Sequence, residues 1–146
     1  MIGEFLLNLK ILRLFFSTGE TPLTLAAGIS KNREVLMSLI AGGAHIDFRN
    51  SGKYFLKLFP KISLYSISEG QTAMHKAAFL SMTENVRALL DLGASPSYKD
   101  PIGLTPLYYT MLTPDSQEAV AQMLLSEAAE VGVLDMHSNQ ELHQVL

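Results

Sequence analysis

Four histidines, His45, His75, His137 and His143, carry the most versatile side-chain chemistry in this sequence. Histidine binds a metal ion or moves protons only where other ligands or catalytic groups lie beside it. His137 and His143 stand six residues apart, and neither a third histidine nor a cysteine lies near them in sequence. His75 and His143 occupy the fourth position of a recurring segment, which around His75 starts at Thr72. This position predicts a hydrogen bond to the backbone, so we expect no metal site.

The motifs of common enzyme classes are missing from the sequence. A GxSxG nucleophile turn and a GxGxxG dinucleotide fingerprint do not occur. The run of Ser51, Gly52 and Lys53 resembles part of a phosphate-binding loop. However, Asp47 stands where the first glycine of that loop belongs, and Tyr54 stands where a hydroxyl must hold magnesium. We therefore predict no catalytic residues, no cofactor, no small-molecule substrate and no enzymatic activity.

An internal repeat is the strongest pattern in the sequence. Three segments share an opening: GETPLTLAA from Gly19, GQTAMHKAA from Gly70 and GLTPLYYTM from Gly103. Gly103 follows Gly70 by 33 residues, which is the period of ankyrin repeats. After each opening, apolar residues recur at helical spacing: Leu36, Leu39 and Ile40, then Val86, Leu89 and Leu90, then Val120, Met123 and Leu124. The pattern predicts an all-α ankyrin-repeat solenoid of helix-turn-helix units with short hairpin arms.

Helix-start signals lie at the same place in each opening. Thr21, Thr72 and Thr105 each precede a helical stretch, and a threonine oxygen can accept from an unpaired backbone N–H there. Pro22 and Pro106 follow at the first helical position, where a proline loses no hydrogen bond. We expect a capped first helix in all three units.

Helix-stop signals differ between the units. Gly43 and Gly93 follow the second apolar stretch of units one and two, as expected for a left-handed residue that ends a helix. Unit three has Glu127 at the corresponding place, which predicts that its second helix continues to Val131. Alanine pairs at residues 26–27 and 77–78 predict close packing between neighbouring first helices.

Composition narrows the class of protein. The chain has 146 residues, a net charge of −3 and only 17% charged residues, so nothing favours nucleic acid or anionic lipid as a partner. It has no cysteine, which excludes disulfides and thiolate metal sites. The apolar start, MIGEFLLNLKILRLFF, is interrupted by Glu4, Asn8, Lys10 and Arg13 and is too short to span a bilayer. We predict no membrane insertion and interpret this segment as a cover for the first repeat.

The organisation that we predict has an apolar segment at residues 1–18 and ankyrin repeats over residues 19–146. The repeats are placed at about 19–50, 70–102 and 103–137, with a partial unit at 138–146 and an inserted loop at 51–69. Codons for Gly52-Lys53 and for Ser68-Glu69 can carry splice-donor and splice-acceptor patterns. Excision between them would remove 17 residues and restore the repeat period. A second hypothesis is therefore that the insertion, and also residues 1–18, are translated intron.

The amino-acid sequences of the repeats contain residues that a general ankyrin consensus does not specify. VRALLDLGASPSYKD followed by GLTPLYYTML, and the final unit ending in ELHQV, resemble the last ankyrin repeats of the Shank (ProSAP) family of postsynaptic scaffolds. The resemblance implies a part of a large multidomain scaffold in the cytoplasm, at the postsynaptic density. It also implies an array that docks cytoskeletal or signalling proteins and so links receptor complexes to the actin cytoskeleton.

Partner-binding candidates come from the predicted arms, residues 47–50 and 97–100, and from the first helices. Exposed aromatics beside cations are typical of interaction hot spots. The candidates are Phe48, Arg49, Lys76, Phe79, Tyr98, Lys99, Asp100, Tyr108 and Tyr109. An equally weighted alternative is that Phe48 and Tyr98 pack between the arms and that the charges are solvated. Two alternative functions also stay open, a fragment without independent function and an ankyrin adaptor outside the synapse.

Overall fold

The computed structural model describes residues 19–50, 70–112 and 118–127. Regular structure in these ranges consists of α-helices that follow one another in pairs. The first pair is α1 (Pro22–Ala27) and α2 (Arg33–Ala41), the second is α3 (Ala73–Phe79) and α4 (Thr83–Asp91), and the third is α5 (Pro106–Thr110) and α6 (Glu118–Ser126). The predicted all-α solenoid of helix pairs is confirmed.

Each first helix begins at the predicted threonine. The side-chain oxygens of Thr21, Thr72 and Thr105 accept hydrogen bonds from backbone N–H groups three residues further along. Pro22 and Pro106 occupy the first turn of α1 and α5, where a proline needs no donor. These caps fix where each helix pair starts, and the sequence prediction is confirmed at all three sites.

The second helices of the first two pairs end at the predicted glycines. Gly43 and Gly93 have φ angles of 96° and 93°, in the left-handed region that an L side chain rarely adopts. Their backbone N–H groups donate to the carbonyls of Ile40 and Leu90. The chain then turns out of the stack and enters a hairpin arm.

Stacking of the pairs produces one continuous core. Helix α3 contacts both α1 and α5, and α4 contacts both α2 and α6, so first helices and second helices form two layers. The core includes Leu36, Met74, Leu89 and Leu124, each fully buried or nearly so. Ala27 and Ala78 are fully buried between first helices. Small side chains there let the helix axes approach closely, as the sequence indicated.

The third pair departs from expectation in two ways. Helix α6 ends at Ser126, and Glu127 lies in a turn, so the prediction that this helix continues through Glu127 is wrong. Helices α4 and α6 end at Asp91 and Ser126, so Val120 occupies the helix position of Asn85 and not that of Val86. Burial agrees, because Val120, Ala121 and Leu124 are the buried residues of α6. Predictions for residues 1–18, 51–69 and 128–146 lie outside the described residues.

Candidate protein-interaction surface

Two hairpin arms leave the stack, and their bases are closed by matching hydrogen bonds. In the first arm, Asn50 N–H donates to Gln71 O at 2.9 Å, and Gly70 N–H donates to Asn50 O at 3.0 Å. In the second arm, Asp100 N–H donates to Leu104 O at 2.9 Å, and Gly103 N–H donates to Asp100 O at 2.9 Å. The first arm closes across residues 51–69 and the second across residues 101–102, yet the two bases have the same pairing.

Side chains reinforce the same closure in both arms. The Oδ1 atom of Asn50 accepts from Gln71 N–H at 3.0 Å, and Oδ1 of Asp100 accepts from Leu104 N–H at 2.8 Å. Asn50 and Asp100 are both about 5% exposed. An Asx side chain that accepts nearby backbone N–H groups stabilises a tight turn. The base of each arm is therefore closed by both backbone and side-chain hydrogen bonds.

The outer residues of the two arms form what we call the arm surface, which consists of Phe48, Arg49, Tyr98 and Lys99. The Arg49 guanidinium lies over the Tyr98 ring, 4.8 Å from its centroid, in a cation–π contact. Arg49 Nη2 also donates to Lys99 O at 2.7 Å. Phe48 is 56% exposed, and Lys99 is exposed as well. The arm surface thus presents aromatic and cationic groups on a preorganised backbone.

The remaining candidates from the sequence lie in the interior. Phe79 is 4% exposed, Asp100 is 5% exposed, and Tyr108 and Tyr109 are fully buried. The Lys76 side chain is 11% exposed, and its Nζ lies 2.8 Å from Oε1 of the buried Glu20. A partner that binds the folded surface does not reach these five side chains. Of the nine candidates, Phe48, Arg49 and Lys99 are exposed and Tyr98 is half-buried, and these four form the arm surface.

Three of these five residues, Phe79, Asp100 and Tyr109, meet in a buried network. The Tyr109 hydroxyl donates to Oδ2 of Asp100 at 2.5 Å, and the Tyr109 ring meets those of Phe79 and His75 edge to face. Burial and the Asp100 carboxylate raise the pKa of the Tyr109 phenol well above its ordinary value, so it remains a donor. From sequence alone, aromatic and charged residues on a short first helix are expected to be exposed, because their burial comes from the neighbouring repeat.

His75 joins the second repeat to the base of the second arm. Its Nδ1 accepts from Thr72 N–H at 3.2 Å, and its Nε2, as the protonated nitrogen, donates to Leu104 O at 3.0 Å. Burial lowers the pKa of His75 from its usual 6.5 to about 4, so the imidazole is neutral. The predicted hydrogen bond from His75 to the backbone beside a hairpin is confirmed.

The other histidines offer no cluster of ligands in the described part of the chain. His45 Nδ1 accepts from Asp47 N–H at 3.3 Å in the first arm. Within residues 19–50, 70–112 and 118–127, no three His, Cys, Asp or Glu side chains converge closely enough to hold a metal ion. His137 and His143 lie outside the described residues.

Asn85 is a structural residue that the sequence analysis missed. It is fully buried on α4, and its Nδ2 donates to the carbonyls of Ala27 at 3.0 Å and Ile29 at 2.7 Å. Its Oδ1 accepts from Asn32 N–H at 3.2 Å. One amide therefore satisfies three backbone groups in the turn of the preceding repeat. The sequence signal for its role was a single asparagine at a helix position that is occupied by the apolar Val120 in α6.

The described helices were compared with the requirements for crossing a membrane. None of the helices in these ranges combines the length and the apolar character that a membrane crossing requires.

Comparison with known proteins agrees with this architecture. The ankyrin repeat family model matches residues 18–51 and 69–101. Human SH3 and multiple ankyrin repeat domains protein 1 is 42% identical over 127 residues, which is 87% of this chain and 5% of that protein. The human protein 2 of the same name is also 42% identical over 127 residues, covering 87% of this chain and 6% of that protein. A putative ankyrin repeat protein of fowlpox virus is 34% identical over 89 residues, covering 59% of this chain and 62% of its own length.

Fold and comparisons together define the class as ankyrin-repeat proteins, which are protein-interaction modules. Within that class the chain belongs to the Shank family and corresponds to a stretch of its ankyrin-repeat region. It spans only 5–6% of the length of these two human relatives.

Proposed function

We propose that the arm surface docks a protein partner without catalysis and that the chain acts as one binding module of a scaffold. The observation that carries this proposal is the repeated aromatic–cation pair, Phe48 with Arg49 and Tyr98 with Lys99, on two arms with identical bases. An exposed aromatic beside cations suits a binding hot spot, and the contacts of Arg49 with Tyr98 and Lys99 O reduce the entropy that Arg49 loses on binding.

The partner that this surface fits is a protein segment with carboxylates and an apolar side chain. Arg49 and Lys99 favour carboxylates by charge, and the 56% exposed ring of Phe48 supplies apolar contact area. Membership of the Shank family supports a cytoskeletal or signalling protein as the partner. It also supports action in the cytoplasm, at the postsynaptic density, where such a scaffold would link receptor complexes to actin. Each of these assignments belongs to the proposal.

Replacing Phe48 by alanine tests the proposal with little risk to the fold. The ring is more than half exposed, so we expect its loss to change the free energy of unfolding by less than about 0.5 kcal/mol. Binding of a purified partner should weaken about tenfold or more, as expected for a central hot-spot aromatic. Isothermal titration of a partner isolated from neuronal tissue measures this effect.

Met37→Ala is the matched control, because Met37 is 44% exposed but belongs to helix α2 and not to an arm. We expect this variant to bind with unchanged affinity. Equal affinity of the Phe48→Ala variant and the unaltered chain would remove the arm surface from the interaction. A chain that shows no cooperative unfolding would instead support a fragment without independent function. Partners found only outside synaptic tissue would support the general ankyrin adaptor.

A further inference from the structure

Arg49 is an exposed arginine whose guanidinium is oriented by the neighbouring arm. The guanidinium lies over one face of the Tyr98 ring, 4.8 Å from the centroid, and its Nη2 donates to Lys99 O at 2.7 Å. A guanidinium carries its N–H donors in its own plane, so stacking on a ring leaves the donors at its edge able to bind an acceptor. Arg49 therefore combines an oriented head group with exposure to solvent.

Arg49 has no carboxylate partner among the described residues. The ion pairs in this part of the chain join Arg33 to Asp91 and Lys76 to Glu20. The exposed Arg33 thus has an acidic partner on the next repeat, whereas the exposed Arg49 stacks on a tyrosine and donates to a backbone carbonyl. The charge of Arg49 is available to a molecule that binds the arm surface.

The carboxylates of the arms themselves are engaged with other groups. Oδ1 of Asp47 accepts from Ser95 N–H at 3.2 Å. Oδ1 of Asp100 accepts from Leu104 N–H at 2.8 Å, and its Oδ2 accepts from the Tyr109 hydroxyl at 2.5 Å. Both aspartates therefore serve the structure of the arms and leave the guanidinium of Arg49 to an external anion.

We propose that Arg49 binds one carboxylate of an acidic side chain in the partner through paired hydrogen bonds, while Phe48 contacts an apolar side chain next to it. This inference rests on the proposed docking function and makes Arg49 its specificity-determining residue. The planar fork of a guanidinium matches the two oxygens of a carboxylate, whereas the ammonium of a lysine acts as a point charge. Orientation by Tyr98 and Lys99 O reduces the entropy that this side chain loses on binding.

The charge of the arms favours a carboxylate over a phosphate dianion. In residues 47–50 and 97–100, Arg49 and Lys99 contribute two positive charges and Asp47 and Asp100 contribute two negative charges, so the formal charges cancel. Sites for phosphorylated segments typically gather several arginines, whereas these two arms contain one. A singly charged carboxylate meets less repulsion from the two aspartates than a dianion does.

Short peptides that differ in one functional group test this inference on the full chain at constant ionic strength. The Nε–Hε NMR signal of Arg49 should shift with Ac-Leu-Glu-NH2 and stay in place with Ac-Leu-Gln-NH2. The phosphoserine peptide Ac-Leu-pSer-NH2 should bind more weakly than the glutamate peptide. Arg33 and Arg87 are exposed arginines on α2 and α4, and their Nε–Hε signals should not move with any of the peptides.

Arg49→Lys separates the planar fork from the positive charge. This variant should bind the glutamate peptide about tenfold more weakly, because it keeps the charge but loses the paired hydrogen bonds. Arg87→Lys is the matched control and should bind with unchanged affinity. The inference would be overturned by equal affinity of Arg49→Lys and the unaltered chain, by equal shifts with the glutamate and glutamine peptides, or by tighter binding of the phosphoserine peptide.

Failure of this inference can be told apart from failure of the docking function. The peptides replace the partner, so a negative result with them leaves the weakened binding expected of Phe48→Ala to a purified partner as a separate test. Unchanged affinity of Phe48→Ala for that partner would remove the docking function, and the role of Arg49 with it, even where the glutamate peptide binds.

Discussion

At the scale of single residues, His75 connects sequence, fold and pH response most directly. Both ring nitrogens are engaged, one by Thr72 N–H and the other by Leu104 O, and the side chain is fully buried. The imidazole must be neutral to accept at Nδ1 while it donates at Nε2. Protonation would place a second N–H against a donor inside the stack. Protonation therefore removes the acceptor for Thr72 N–H and buries a charge, while the donation from Nε2 to Leu104 O remains.

We expect the chain to lose stability as the pH falls from about 6.5 to about 4. The pKa of His75 is near 6.5 in the unfolded chain and about 4 in the folded chain, so the unfolded chain binds more protons in this window. Neutral His75 stabilises the fold fully above its unfolded pKa. As the pH falls to about 4, the free energy of unfolding decreases by on the order of 3 kcal/mol. Urea unfolding at a series of pH values measures it.

His75→Gln supplies the comparison for this pH series. Glutamine does not titrate, so this variant should show a shallower fall of stability between pH 6.5 and 4 than the unaltered chain. Asp100 and Arg49, the charged groups that act on His75, are present in both chains. An identical pH dependence in the two chains would show that His75 does not titrate with the altered pKa.

At the scale of elements, the arms show why the repeat tolerates the insertion. Asn50, Gly70 and Gln71 make the same backbone pairs as Asp100, Gly103 and Leu104, although the chain between them differs greatly in length. The hydrogen bonds at the base do not depend on the residues beyond it. The repeat geometry is therefore set by the closed base of each arm.

Deletion of residues 52–68 should leave the described fold intact. The variant keeps Ser51 and Glu69 between Asn50 and Gly70, as Pro101 and Ile102 lie between Asp100 and Gly103. Because closing a long loop costs more entropy than closing a short one, we expect the shorter chain to gain roughly 2 kcal/mol of unfolding free energy. Urea unfolding with far-UV circular dichroism measures both quantities. A marked loss of helix or of stability would show that residues 52–68 support the stack.

Local signals predicted the elements well because they depend on few neighbours. The threonine caps, Pro22, Pro106 and the glycines Gly43 and Gly93 act within one helix turn, so the sequence alone located them. The position of α6 could not be predicted in the same way. The register of α6 relative to α4 depends on the conformation of the connection between α5 and α6. The spacing of the apolar residues in α6 fits two registers that differ by one residue.

The candidate site was only partly predictable, since exposure depends on stacking between repeats. Phe48 lies on an arm and stays accessible, as the sequence indicated. Tyr109 and Lys76 lie on first helices, where a neighbour supplies Asp100 as an acceptor for one and Glu20 as an ion-pair partner for the other. Such long-range partners cannot be identified from the repeat period. Four of the nine candidate residues lie on the arm surface, and the other five are buried.

At the scale of the whole molecule, each repeat is tied to the next by specific polar contacts. The Glu20–Lys76 ion pair and the Asn85 amide join the first repeat to the second, and His75 joins the second to the third. Stability of a repeat array is approximately a sum of such nearest-neighbour terms. The two arms are joined directly by Arg49, which contacts the Tyr98 ring and Lys99 O and so brings the residues of the arm surface together.

Mapping a bound partner onto the chain by NMR tests the central proposal most directly. Amide resonances of residues 47–49 and 97–99, together with the ring signals of Phe48 and Tyr98, should shift on addition of the partner. Those of exposed residues on α2 and α4, such as Met37 and Arg87, should stay in place. This pattern would place the partner on the arm surface. Shifts confined to α2 and α4, with the arms unaffected, would contradict the proposed function.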